Sequence, residues 1–171
     1  PPFLARLLIF FFGRPTGIVS TDTKTHTIWW MLFQLQLVFN RFPFLEEVLR
    51  VIPGIYALWL NLWGGKVNMF SFWAPGVTIM DRYHLVIDKG VILGTGCLLS
   101  AHVLFKKPNG EIYLIIDQLR IESDALIGVR SMLSPGCHIH ASQIVPAQGL
   151  LKPYTEIKDG KKTLLKSINY K

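Results

Sequence analysis

Residues 87–105 read I-D-K-G-V-I-L-G-T-G-C-L-L-S-A-H-V-L-F, and large apolar residues recur in them at Ile87, Leu93, Leu99 and Phe105. The period is six, and it returns at Ile121, Ile127, Leu133, Ile139, Val145 and Leu151. Two places before these steps stand mostly small or β-branched residues: Val91, Cys97, Val103, Ala125, Ser131 and Cys137. A helix repeats every 3.6 residues and a strand every two. A period of six belongs instead to a parallel chain coiled into a prism, with one hexapeptide per flat side and three sides per turn. The large residue then points into the prism, the small one lets the chain round a corner, and Gly90, Gly96, Gly128 and Gly136 serve the turns.

Between Phe105 and Ile121 the repeat breaks, with one further hexad read over Ile115 to Arg120 and an extruded loop at Lys107 to Gly110, where P-N-G signals a tight turn. The phrase S-A-H-V-L-F-K-K-P-N-G-E-I-Y-L, followed by hexads that lead to M-L-S-P-G-C-H-I, resembles the left-handed β-helix, hexapeptide-repeat acyltransferases. The likeness runs over residues 72–157, about half of the chain. It implies an all-β left-handed parallel β-helix of about five coils, with the handedness resting on the resemblance alone. It also implies transfer of an acyl group from a thioester, coenzyme A or the phosphopantetheine of an acyl carrier protein, to an oxygen or nitrogen nucleophile. Homotrimers with sites between neighbours are usual in that family, so a homotrimer is expected. Asp88, Ser134 and His140 stand where glycine is common, and the first coil is irregular, since the phase of Ile87 would turn Asp81 and Pro75 inward.

A thioester is already activated, so the protein must deprotonate the acceptor, hold it against the carbonyl and stabilise the oxyanion. A neutral histidine can be that base, and in the resemblance the histidine just before the loop has this role, which falls on His102. His84 precedes it by one nominal coil and is expected at the same corner as a substrate-positioning residue. His138 and His140 flank the inward Ile139 and should face solvent, while His26 falls in a linker. Both donors are anionic, so Lys106, Lys107, Arg120 and Arg130 are candidate donor-binding residues, and no metal is expected.

Half of the 171 residues are apolar, mean hydropathy is positive, and the formal charge is +7. That pairing suits an anionic membrane surface. The basic residues are scattered without a nucleic-acid-binding motif, so no nucleic-acid partner is expected. Residues 3–12 form an apolar run broken by Arg6 without a cleavage site, which argues against a signal peptide. A threonine-rich linker is read over residues 13–27. Two further apolar runs follow, Thr27 to Asn40 and one interrupted by Pro53 and Gly54, none reaching the ~20 residues of a spanning helix. Four of the five tryptophans, Trp29, Trp30, Trp59 and Trp63, fall here, as expected at a headgroup level.

The organisation read is a helical, membrane-associated region at 1–65, the prism at 66–157 and a basic tail at 158–171. Cys97 and Cys137 sit at corners and imply no disulfide, in keeping with the cytoplasmic side of a membrane, peripheral or monotopic. The expected function is acylation of a hydroxyl or amine on a lipid or membrane-linked acceptor, with acetyl-CoA-dependent acetylation of a soluble sugar or small molecule as the alternative. A γ-carbonic-anhydrase-like metal enzyme and a non-catalytic scaffold are more distant readings.

Overall fold

Pro2 is tolerated in a first helical turn because its missing N–H has no partner there, and α1 runs Pro2–Phe12 until Gly13, at φ 81°, ends it. The computed structural model describes residues 1–166 and 168. The stretch expected as a linker contains strand β1 (Gly17–Ser20) and the start of α2 (Lys24–Arg41), whose N-cap Thr23 accepts from the His26 N–H at 3.2 Å. Pro43 and the Pro53–Gly54 break then bound α3 (Phe44–Arg50) and α4 (Ile55–Leu62).

Short strands follow: β2 (Lys66–Val67), β3 (Phe72–Trp73), β4 (Thr78–Ile79), a 3₁₀ turn at Arg82–His84, β5 (Leu85–Ile87), β6 (Ile92–Leu93) and β7 (Leu98–Leu99). Next comes a hairpin of β8 (His102–Lys106) and β9 (Ile112–Ile116). The chain then resumes with β10 (Leu119–Ile121), β11 (Leu126–Ile127), β12 (Met132–Leu133), β13 (His138–Ile139), β14 (Ile144–Val145) and β15 (Leu150–Leu151). It closes with β16 (Thr155–Lys158) and β17 (Lys161–Leu164).

Successive short strands go to three different sheets in rotation. One orders β2-β5-β10-β13-β16 in parallel, with β17 added antiparallel; the others order β3-β6-β11-β14 and β4-β7-β12-β15. In each, the residues of the six-residue period lie directly above one another, as in Ile87↔Ile121↔Ile139↔Ile157. Their side chains, with those of Leu93, Leu99, Ile127, Leu133 and Val145, form one buried core. Gly128 shows why the coils can lie so close: a Cβ there would stand 2.4 Å from the Ala147 nitrogen.

The expectation of an all-β left-handed β-helix with a separate helical platform is not met. Among the described residues the protein is mixed α/β, with four α-helices, parallel sheets and one mixed six-stranded sheet. Tyr56, Ala57 and Leu60 of α4 belong to the same core as the strands, so the helices are part of the fold at residue 65 rather than an appendage. The six-residue period reports burial within the strand region and is blind to what packs against its end. Among the described residues no helix is long and apolar enough to cross a membrane.

Two departures within the strand region matter for the site. Val67 pairs with Ile87 and Ile79 with Leu99, a step of 20 where Ile121 to Ile139 is 18. The two extra residues are taken up at the 3₁₀ turn, so Trp73 and Ile79, not Pro75, take the positions in register. The second departure is β8–β9, which holds Ile115 and Ile116 in an antiparallel three-stranded sheet of order β1-β9-β8; no hexad runs from Ile115 to Arg120. The loop itself lies where expected, with the Gly110 N–H donating to the Lys107 carbonyl at 2.9 Å. The basic tail begins inside β16 and turns back as β17; its residues 167 and 169–171 lie outside the described ones.

Candidate active site

His102 opens β8, where the chain leaves the parallel sheets, and its Nδ1 lies 2.7 Å from Oδ2 of Asp81. Asp81 is the residue before the 3₁₀ turn and is fully buried. The same Oδ2 accepts from the Ala101 N–H at 3.1 Å, so the carboxylate is fixed from two sides. An acceptor at Nδ1 selects the tautomer that carries its proton there and leaves the Nε2 lone pair for chemistry.

The walls around the imidazole come from α2. Trp29 and Phe33, one turn apart on one helix face, bring their rings to 4.9 Å and 5.4 Å from that of His102. The side chain of His102 is 15% exposed, enough to reach from outside, whereas Trp29 is buried. Beside it Trp29, Trp30, His26, Thr21, Leu104 and Ile112 line an open hollow of about 480 Å³. His26 is thus in the first turn of α2, with its ring 5.4 Å from that of Trp29, and not in a linker.

A buried polar cluster locks this arrangement. Arg82, next to Asp81, donates Nε and Nη2 to the two Glu46 oxygens at 2.6 and 2.8 Å and Nη1 to Asn40 at 2.7 Å, while its backbone N–H donates to Gln36 Oε1 at 2.8 Å. Glu46 also accepts from Trp59 Nε1 at 2.7 Å. Residues of α2, α3 and α4 therefore converge on the turn that carries Asp81. That explains why Gln36 interrupts an otherwise apolar helix: it is fully buried and needed as an acceptor.

His84 does not share a corner with His102. The longer first step places it in the 3₁₀ turn, fully buried, donating Nε2–H to the Pro15 carbonyl at 2.9 Å. Burial pushes its pKa down to about 4, against a smaller opposing pull from Asp81, so it is neutral and out of reach of a substrate. Lys106 ends β8 in the open, and Lys107 holds its Nζ 4.3 Å from the centre of the Tyr113 ring, so both share the hairpin of His102. Arg120 lies on β10 with Nε 3.6 Å from Glu122, and Arg130 occupies a left-handed turn position, φ 56°, between β11 and β12. His138 and His140 are only partly exposed and bond to Glu122 and Glu156 rather than standing free in solvent.

Asp81 is the partner of His102 in this candidate site that the six-residue pattern passes over. Its signal was a carboxylate at a position where the repeat calls for an apolar side chain. Cys97 and Cys137 are buried, and burial raises both thiol pKa values, that of Cys137 to about 11, which leaves them inert packing residues. No family model, curated protein or solved structure matches the chain.

Proposed function

We propose that the protein is an acyltransferase, as its resemblance to the hexapeptide-repeat enzymes suggests, and that His102 is its general base. The observation that carries the reading is the His102–Asp81 pair at 2.7 Å, with a buried carboxylate behind an accessible imidazole. His102 Nε2 takes the proton of the acceptor hydroxyl or amine as that atom attacks the thioester carbonyl. The carbon–sulfur bond then breaks, and the proton passes to the leaving sulfur to give the free thiol of coenzyme A or of a carrier protein. Trp29 and Phe33 screen part of the imidazole from water, which favours transfer over hydrolysis.

Two features support a lipid or membrane-linked acceptor over a soluble sugar. The hollow beside Trp29 is lined largely by apolar side chains. The outer faces of the helices also leave large apolar side chains in the open, among them Phe10 at 80% and Val51 at 79% exposure. Such a face, on a chain of net charge +7, fits the anionic cytoplasmic leaflet, where each basic residue near the surface contributes about 1 kcal/mol. A row of outward aliphatic and aromatic residues across β3, β6, β11 and β14, Phe72, Ile92, Leu126 and Ile144, supports assembly with further copies, read as a trimer.

Purified protein in detergent, offered acyl-CoA and acyl-carrier-protein donors of graded length with long-chain alcohol and amine acceptors, tests the reading through acceptor-dependent release of free thiol. Turnover that disappears in His102→Ala is expected. Equal turnover in that variant, or none with either coenzyme A or carrier-protein donors, overturns it.

A further inference from the structure

Outward side chains on three neighbouring strands of the six-stranded sheet gather two imidazoles between two carboxylates. Ile139 points inward, so His138 and His140 on either side of it point outward together, and their rings stack at 4.1 Å. Glu122, just past β10, places Oε1 2.7 Å from His138 Nε2 and Oε2 3.4 Å from His140 Nδ1. One ligand atom from each of the three residues lies within 4.8 Å of the others.

The surroundings orient these atoms. His140 Nε2 donates to Glu156 Oε1 on β16 at 2.8 Å, which leaves the Nδ1 lone pair directed to the side where Glu122 lies. A carboxylate behind the far nitrogen of a ligating histidine is the usual outer partner of a metal-bound imidazole. Glu156 is itself held by the Thr163 hydroxyl at 3.3 Å, and Glu122 Oε2 by the Ala141 N–H at 3.2 Å. The three side chains are each about one quarter exposed, so a fourth direction is open to water. The neighbouring cation is Arg120, whose exposed Nε is 3.6 Å from Glu122.

We propose that Glu122, His138 and His140 bind one divalent transition-metal ion of the zinc class, with Glu156 as the orienting partner of His140. Bond lengths of about 2.0–2.2 Å to each ligand put neighbouring ligand atoms a little over 3 Å apart, so ligand atoms now within 4.8 Å of one another draw together as the ion binds. Two imidazoles and a carboxylate are the donors such ions prefer over magnesium or calcium. The ion ties β10 to β13 directly and to β16 through Glu156, and it displaces the proton that links His138 Nε2 to Glu122.

The test uses the full chain stripped with chelator and titrated with zinc chloride against a chromophoric competitor. One ion per chain is expected, with an accompanying rise in melting temperature. Binding should vanish in His140→Ala and Glu122→Gln, weaken about 10- to 100-fold in Glu156→Gln, and persist in His102→Ala. Circular dichroism of the metal-free variants checks their fold, and Glu156→Gln, which keeps its shape, carries the test if His140→Ala does not fold. No binding by the wild type, binding indifferent to the Glu122 and Glu156 substitutions, or equal competition by calcium and magnesium would each overturn the proposal.

Discussion

His102 without Asp81 would be an imidazole free to place its proton on either nitrogen. Two substitutions separate the base from its orienter. His102→Ala should lower kcat by about 100- to 10,000-fold, the usual worth of a positioned base, with the far-ultraviolet spectrum unchanged. Asp81→Asn keeps the shape but can donate its amide N–H to Nδ1, which reverses the tautomer; it should approach the His102→Ala rate while leaving KM nearly unaltered. An Asp81→Asn enzyme with near wild-type kcat would remove the carboxylate from the mechanism.

His84 provides a separate, thermodynamic reading at the same scale. Its folded pKa lies near 4, below the ~6.5 of a free histidine, so as pH falls the unfolded chain takes up a proton first. Stability is complete above about pH 6.5 and is lost between there and about 4, by at most about 1.4 kcal/mol per pH unit. Hydrogen bonds from His138 and His140 lower the Glu122 and Glu156 pKa values below 4.5, so their contribution is present above that pH and goes only below it. Urea denaturation from pH 6.5 to 5 should therefore show a slope that flattens in His84→Gln, whose amide can still donate to Pro15. A slope identical in both proteins would assign the pH dependence elsewhere.

At the scale of elements, α2, α3 and α4 are joined to the 3₁₀ turn around a buried ion pair, Arg82 being 1% and Glu46 4% exposed in their side chains. Removing one partner leaves the other charge buried and alone, which costs about 3–5 kcal/mol. Arg82→Ala and Glu46→Ala should each lose that much in equilibrium unfolding, and the paired Arg82→Met, Glu46→Leu change should lose much less. Single losses below about 1 kcal/mol would mean that water or another group compensates.

The strand ladders were legible because burial on alternate faces, repeated every six residues, leaves a mark on composition. Ile87, Leu93, Leu99, Ile121, Ile127 and Leu133 are all buried within a few per cent. The helices were legible as apolar segments but not as packed ones, because apolar residues on most faces do not say which face is covered. The pairing of β1 with β9 was invisible, since G-I-V-S carries too short a pattern and its partner lies far along the chain. His102 was singled out by the loop that follows it, whereas its contact with Asp81 could not be read, because a two-residue insertion in the first step moves the register that spacing relies on.

For the whole molecule, the exposed apolar side chains of the helices should place it on membranes. Sedimentation with vesicles containing anionic lipid should bring the protein down, less so with Phe10→Ser and Val51→Ser together and at high salt. Protein that stays in the supernatant with every vesicle would refute membrane docking. Light scattering in detergent should give a mass of several chains that falls to one with Ile144→Asp, if the outward row on β14 is an interface as read above; a wild-type monomer with full activity would exclude a shared site.

The pairing of Gly17 through Ser20 with Tyr113 through Ile116 also sets an order of events in time. During synthesis β1 leaves the ribosome long before β9 exists, and at about 5–20 residues per second the interval is on the order of 5–20 s. Contacts that span so much sequence form late because loop closure must come first. The apolar helices emerge within that interval, while His102 lacks its strand partner. On the proposed function, a nascent chain reaches a bilayer before His102, the proposed base, has its strand partner, and reactivity would begin only where the chain has already been delivered.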